Sequence, residues 1–453
     1  MAIKASLPKG TRDFLPTAMR QRQYIQDTIK EVFIQYGFEP IETPALEKTE
    51  TLSGKYGEEG DRLIFKILPR GRKMDKLIQA ASKQAWREQI EEALRYDLTV
   101  PLARFLVQNQ NELDFPFKRF QMQPVWRADS PQKGRYREFV QCDADAVGPS
   151  GLVQDLEFLA IYQRVFDRLE LPVRIRINHR QILEALALAL GVENTMAFTV
   201  ILDKLDKIGM GKMLEEMSEQ LKLQPAQANR LKELLEQASG AEQLAQLKKI
   251  LPPANEGLEE IDFILEGARE LGLSSVLFDP SLARGLDYYT GCIFEVIASE
   301  ITLGSLGGGG RYDNLTEMFG GQNLPGVGIS FGLDRIQLAL QESDKFSENF
   351  KFSSEVLFLN LGAREVSYAM DIAERLRDQG LRTEVFPKPI KMGKQLEWAD
   401  RKGIEKAVII GSRELDSGQL RLKNLKDGTQ KDFSRAELIA HLIPTNNIAH
   451  GRH

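Results

Sequence analysis

The sequence predicts an α+β domain built on an antiparallel sheet, interrupted by a helical insertion and followed by a separate α/β domain. Three observations carry this. From Leu94 to Val147, and again from Ser275 to Val296, apolar residues recur with period two, as in strands with one face on a core. Between Gln181 and Leu273 the period becomes helical, in charged, Leu-rich runs such as "ANRLKELLEQA" broken at Pro252-Pro253. From Glu355 onward strand and helix patterns alternate, the mark of a small α/β unit.

The elements follow in order. Ile25, Ile29, Val32, Phe33 and Tyr36 fall at helical spacing, with Gly37 as the stop, and "FEPIETPAL" reads as extended. In "RYREFVQCDADAVG" the strand period puts Val140, Cys142, Ala144 and Ala146 on one face. "RYDLTVP" reads the same way, with Arg95, Asp97 and Thr99 sharing a face. The glycine-dense stretch Gly304–Gly310 fits neither a phosphate loop nor a dinucleotide fingerprint, and reads as a tight bend or a close backbone approach beneath a ligand. "PGVGISFGLDRIQLAL" is a strand turning into a helix. Past the polar linker "QESDKFSENFKFSS" the pattern is strand 356–361, helix to 379, strand 382–386, helix 393–402, strand 407–410, a hairpin at Asp427-Gly428 and a last helix. The expected boundaries are 1–180, 181–273, 274–342, 355–445 and a polar tail at 446–453.

Composition narrows the function. Of 453 residues, 42% are apolar and 28% charged, ordinary values for globular domains. Apolar runs such as "LFLNL" and "AVII" are too short for a membrane span. Met1–Gly10 lacks the apolar stretch of a signal peptide, so a cytoplasmic location is expected. Cys142 and Cys292 cannot build a disulfide framework or a zinc site, and read as small buried thiols. A net charge of −5 argues against a non-specific nucleic-acid coat, yet the segment from Glu355 holds 17 Lys and Arg against 14 Asp and Glu. That asymmetry hints that the C-terminal unit meets a polyanion.

One strand face stands out. Opposite Val140, Cys142 and Ala144 lie Phe139, Gln141, Asp143 and Asp145, short carboxylates with an amide and a ring. This makeup suits a pocket for a small cationic or amine-bearing ligand better than a solvated face. Arg127, Arg284 and Arg335 lie beside strand or helix ends, where a guanidinium can capture carboxylate or phosphate in bidentate fashion. His179 reads as structural. With no evident covalent nucleophile, chemistry driven by positioning and charge stabilisation, such as nucleotidyl transfer, is the natural candidate.

Six segments in order resemble one family, the histidyl-tRNA synthetases of class II: "LPKGTRDFLP", "LRYDLTVPLARF", "WRADSPQKGRYREFVQCDAD", "ARGLDYYTG", "LGGGGRYDNL" and "PGVGISFGLDRI". The resemblance implies a catalytic core in residues 1–180 and 274–342, with motif 1 near Pro44, motif 2 over Phe120–Val147 and motif 3 ending at Arg335. It implies an insertion at 181–273 that leans on the tRNA acceptor arm, and an anticodon-binding domain at 355–445. Two catalytic residues are implied, Arg284 and Arg127, the latter bridging the ATP α-phosphate and the histidine carboxylate. Phe139 would lie under the adenine and Arg335 on the ATP tail. Asp97, Thr99 and Gln141 match positions around the α-amino group, while Asp145, Tyr288 and Tyr289 match the imidazole end. The loop Ala128–Tyr136 would meet the acceptor end of the tRNA. ATP is implied as a substrate with Mg²⁺, without a tightly bound cofactor or a protein metal site. L-histidine and tRNA(His) are the other partners, and a homodimer is expected. The chain reads "RYDLT" where other members have "RPEGT", so Asp97 stands in place of a longer glutamate. A regulatory, non-catalytic relative would lack the C-terminal domain and degrade "RGLDYYTG"; both are present here.

Overall fold

The structure is a computed structural model and describes residues 4–79, 90–148, 151–237, 240–252, 254–283, 288–314, 316–346 and 354–443. It divides into two compact units, Met1–Phe14 with Gln21–Lys345, and Leu15–Arg20 with Phe346–His453.

The strands of the larger unit are β1 (Glu39–Pro40), β2 (Leu46–Lys48), β3 (Lys66–Ile67), β4 (Glu92–Leu94), β5 (Phe117–Trp126), β6 (Glu138–Val147), β7 (Val173–His179), β8 (Val276–Phe278), β9 (Cys292–Ala298), β10 (Gly307–Tyr312) and β11 (Gly326–Gly332). Eight of them form one sheet in the order β1-β5-β6-β11-β10-β9-β7-β8, and β2-β4-β3 form a small second sheet. Only the outer pairs β1/β5 and β7/β8 are parallel; the centre is antiparallel.

Two helices cover one face of the sheet. From α1 (Pro16–Gln35), Phe33 meets Phe120 of β5 at 5.7 Å and Phe331 of β11 at 5.9 Å between ring centroids. Tyr162 of the next long helix (Val153–Arg168) meets Phe331 at 4.8 Å. Cys142 and Ala144 are fully buried. Both cysteines are buried free thiols, and burial raises their pKa values. With one face closed by aromatic packing, only the opposite face of β5, β6, β10 and β11 is left to take a ligand.

The insertion is helical as its period predicts, with helices Arg180–Ala189, Thr195–Leu202, Leu205–Leu221, Pro225–Leu235, Gly240–Ile250 and Glu256–Glu270. His179 caps the first, its Nδ1 accepting from the Gln181 amide at 3.2 Å while Nε2 sits 3.0 Å from Glu260. Its contacts are those of a structural histidine.

In the smaller unit five strands, β12 (Val356–Phe358), β13 (Thr383–Val385), β14 (Lys406–Ile409), β15 (Gln419–Asn424) and β16 (Gln430–Ser434), form one sheet in the order β13-β12-β14-β15-β16. Val356, Phe358 and Val408 pack with Ile372 and Leu376 of helix Ala363–Asp378; Leu357, Leu359 and Ile409 pack with Ala399 of helix Met392–Lys402. The hairpin turns at Gly428, whose φ of +76° lies in the left-handed region that glycine tolerates.

Three local expectations are corrected. "RYDLTVP" is not a strand: β4 ends at Leu94, and Thr99 opens a helix, Thr99–Asn109. The Asp97 carboxylate accepts from the free Val100 amide at 3.1 Å, which favours a helix start over a ladder. The glycine stretch holds a buried strand, Gly307–Tyr312, rather than a bend, while the expected close backbone approach is there: a Cβ on Gly309 would lie 2.1 Å from the Gly328 carbonyl oxygen. A short helix, Ser412–Ser417, was not expected; Glu414 closes it by accepting from the Gly411 amide at 2.9 Å.

Candidate active site

Partners in antiparallel register share a face, so the central strands set the side chains in rows. Arg119, Asp145, Gly328 and Gly310 make one row; Gln121, Asp143, Ser330 and Gly308 the next; Gln123, Gln141 and Gly332 a third. The glycines make room. A Cβ on Gly328 would lie 2.1 Å from Asp145 Oδ1, and one on Gly310 would lie 2.8 Å from the Tyr289 ring.

At one end of the face Asp145 is held from two sides. Arg119 Nη2 pairs with its Oδ2 at 2.5 Å, and the Tyr312 hydroxyl donates to Oδ1 at 2.7 Å. All three are almost fully buried. Burial raises the Asp145 pKa, while Arg119 and the Tyr312 hydrogen bond work against the rise. Tyr288 stands edge-on to Tyr289 at 4.8 Å and to Tyr312 at 6.4 Å, with the Thr99 side chain near its hydroxyl. Burial pushes the Tyr288 and Tyr312 phenols well above their usual pKa, so both stay protonated donors.

At the other end lies Asp97, carried into the pocket by the turn before helix Thr99–Asn109. Its Oδ1 accepts from the Tyr56 hydroxyl at 2.9 Å and from the Val100 amide at 3.1 Å. Its Oδ2 is buried without a hydrogen-bond partner. A carboxylate oxygen left bare in the interior is costly unless a ligand supplies the missing donor. Burial raises the Asp97 pKa, and the Arg127 guanidinium counters it.

Arg127, just past β5, lies on the Asp97 side. Its Nε donates to the Tyr96 carbonyl at 3.0 Å and its Nη2 reaches Gln141 Oε1 at 3.4 Å. The guanidinium lies 4.3 Å over the Tyr96 ring and 5.2 Å over Phe139, and is half-buried. Gln141 Nε2 in turn donates to Ser330 Oγ at 3.1 Å. Arg335 donates to the carbonyls of Gly134 and Ser305 at 3.1 and 2.8 Å, tying its helix, Leu333–Glu342, to the loop Ala128–Tyr136.

The fold therefore gathers Asp97, Thr99, Arg127, Phe139, Gln141, Asp145, Tyr288 and Tyr289 around one pocket. Arg284 lies outside the described residues. Arg119, Tyr56 and Tyr312 were not singled out from sequence. Tyr312 was within reach: had "GGGGRY" been read as a strand, period two would have set it on the face of Gly308 and Gly310. Arg119 and Tyr56 carry no local signal.

The pocket offers a half-buried guanidinium, a bare acceptor on Asp97, and beyond them a carboxylate flanked by phenols. It fits a zwitterion with a nitrogen-bearing side chain. On an antiparallel sheet backed by helices, this is the architecture of class II aminoacyl-tRNA synthetases. The family described as Histidyl-tRNA synthetase matches residues 10–336, and an Anticodon binding domain matches residues 355–444. A histidine–tRNA ligase of Flavobacterium johnsoniae is 47% identical, with 95% of this chain and 97% of the relative covered. One from Christiangramia forsetii is 48% identical, with 96% and 98% covered. The crystal structure of histidyl-tRNA synthetase from Nostoc sp. PCC 7120 superposes with a TM-score of 0.81 at 31% identity, covering 97% of this chain and 99% of that one. The chain belongs to the histidyl-tRNA synthetase family.

Proposed function

We propose that this pocket activates L-histidine with ATP and that the chain then passes the histidyl group to the 3′ end of tRNA(His). Family membership supports the reaction. In the first step a histidine carboxylate oxygen attacks the ATP α-phosphorus in line, and pyrophosphate leaves. In the second a ribose hydroxyl of the terminal tRNA nucleotide attacks the adenylate carbonyl, and AMP leaves.

The observation that carries the reading is the bare Oδ2 of Asp97 in the same pocket as the half-buried Arg127 guanidinium. These suit the ammonium and the carboxylate of one amino acid. Thr99 and Gln141 complete the ammonium site. Asp145, with the phenols of Tyr288 and Tyr289, takes the imidazole, whose two ring nitrogens call for an acceptor and a donor or acceptor. Arg127 then bridges the substrate carboxylate and the α-phosphate, Phe139 supports the adenine, and Arg335 meets the ATP tail. From sequence, Arg284 supplies fixed charge to the α-phosphate in the transition state. Among the described residues no group of three His, Cys, Asp or Glu side chains could hold a metal. ATP would bring Mg²⁺ with it on its phosphates. Residues 181–273 would lean on the acceptor arm and 355–445 would bind the anticodon. We place the reaction in the cytoplasm and in a homodimer. Among the described residues no helix is long and apolar enough to cross a membrane.

The test is histidine-dependent exchange of pyrophosphate into ATP without tRNA. Exchange that requires histidine and is unaffected by other amino acids supports the reading; its absence overturns it.

A further inference from the structure

We propose that Asp143 is a second carboxylate for the ammonium group of the amino acid, beside Asp97. The inference rests on the pocket reading above and deepens it.

Asp143 is 3% exposed and sits in register with Gln121 and Ser330, one row from Asp145 toward Gln141. Its hydrogen-bonding neighbours are neutral: Gln141 Nε2 approaches Oδ1 at 3.5 Å, and Ser330 stands opposite it in register. The charged groups that face it are Arg119 of β5, Asp145 of β6 and Asp97 from the turn before helix Thr99–Asn109. Arg119 is the sole cation of that set, and its Nη2 is committed to Asp145 at 2.5 Å. Asp143 and Asp145 thus share one buried guanidinium, and the cation facing Asp97 is Arg127. Arg127, the next cation, is the group offered to the substrate carboxylate.

Asp97 and Asp143 repel one another, and Asp97 Oδ2 has no donor. A cation seated between them relieves both. An amino acid brings one, while its own carboxylate is balanced by Arg127. Burial, with Asp145 and Asp97 adding to it and Arg119 and Ser330 opposing it, pushes the Asp143 carboxyl up to about 7. Near neutral pH the empty pocket therefore holds a share of a proton on Asp143, and an arriving ammonium displaces it to solvent.

The experiment uses the full chain and Asp143→Asn. In pyrophosphate exchange, KM for histidine should rise about 10- to 100-fold, the range for losing a hydrogen bond to a charged group, while kcat and KM for ATP stay within about twofold. Titration calorimetry near pH 7 in two buffers of different ionisation enthalpy supplies a second readout. Wild type should release protons on binding histidinol, which keeps the ammonium, and none on binding imidazolepropionate, which lacks it. The variant should release none with either. Equal increases in both KM values, unchanged histidine KM, or equal proton release with both analogues would overturn the inference. The analogue pair needs only wild type, so a variant that fails to fold leaves the test intact. If wild type shows no histidine-dependent exchange, the pocket reading itself fails.

Discussion

Asp143 also predicts how the empty enzyme responds to pH. Its carboxyl is pushed from 3.8 to about 7, chiefly by burial. Because the folded pKa is raised, the folded chain holds this proton more tightly than the unfolded chain. That stabilisation is complete below pH ~4, the ordinary carboxylate range, and is lost as pH rises through about 7. At about 1.4 kcal/mol per pKa unit, the loss approaches roughly 4 kcal/mol. An asparagine at this position would be neutral at every pH and could keep the contacts to Gln141 and Ser330, so Asp143→Asn should escape the loss. The variant should match wild type near pH 4 and exceed it by up to about 4 kcal/mol near pH 8. Unfolding entropy is ~2.1 cal/mol/K per residue, so in a unit of this size 1 kcal/mol is about 1.5 °C and the gap is about 6 °C. Scanning calorimetry of the ligand-free chain at several pH values measures it. A pH-independent difference, or a variant less stable than wild type near pH 8, would refute the reasoning and mean that Asp143 is ionised and paired with Arg119.

Four further outcomes follow from the same geometry. Asp145→Asn keeps an acceptor for Tyr312 but removes the charge paired with Arg119, so KM for histidine should rise at least tenfold in exchange assays with KM for ATP nearly unchanged; equal rises would make Asp145 structural. Gly328→Ala puts a Cβ 2.1 Å from Asp145 Oδ1, which should lower stability by about 1–3 kcal/mol in thermal unfolding and weaken histidine binding. Tyr56→Phe removes the 2.9 Å hydrogen bond that orients Asp97; histidine KM should rise several-fold with kcat kept, and a fall in kcat alone would contradict that role. Arg284→Ala, argued from sequence, should slow adenylate formation by about two to three orders of magnitude with histidine affinity much less affected, as pre-steady-state kinetics beside equilibrium binding can show.

The site was legible where local period sets the outcome. In β6 the alternation that buries Cys142 and Ala144 against the core also turns Phe139, Gln141, Asp143 and Asp145 to the opposite face. It was not legible at "RYDLT", where the reading as a strand ignored what a carboxylate beside a free amide does. Asp97 lies just before a helix and, with one oxygen taken by Val100 and Tyr56, keeps the other buried without a hydrogen-bond partner.

By itself the sequence determined the strand–helix order, the helical insertion, the α/β unit and the polar face of β6, because each depends on residues near one another in the chain. Only the tertiary structure decided that Tyr56, Arg119 and Tyr312, distant in sequence, attach to Asp97 and Asp145. It likewise decided that Asp143 and Asp145 share one buried guanidinium, that of Arg119. Burial and charge at that site are sums over neighbours from several strands and turns, and folding is what brings those neighbours together.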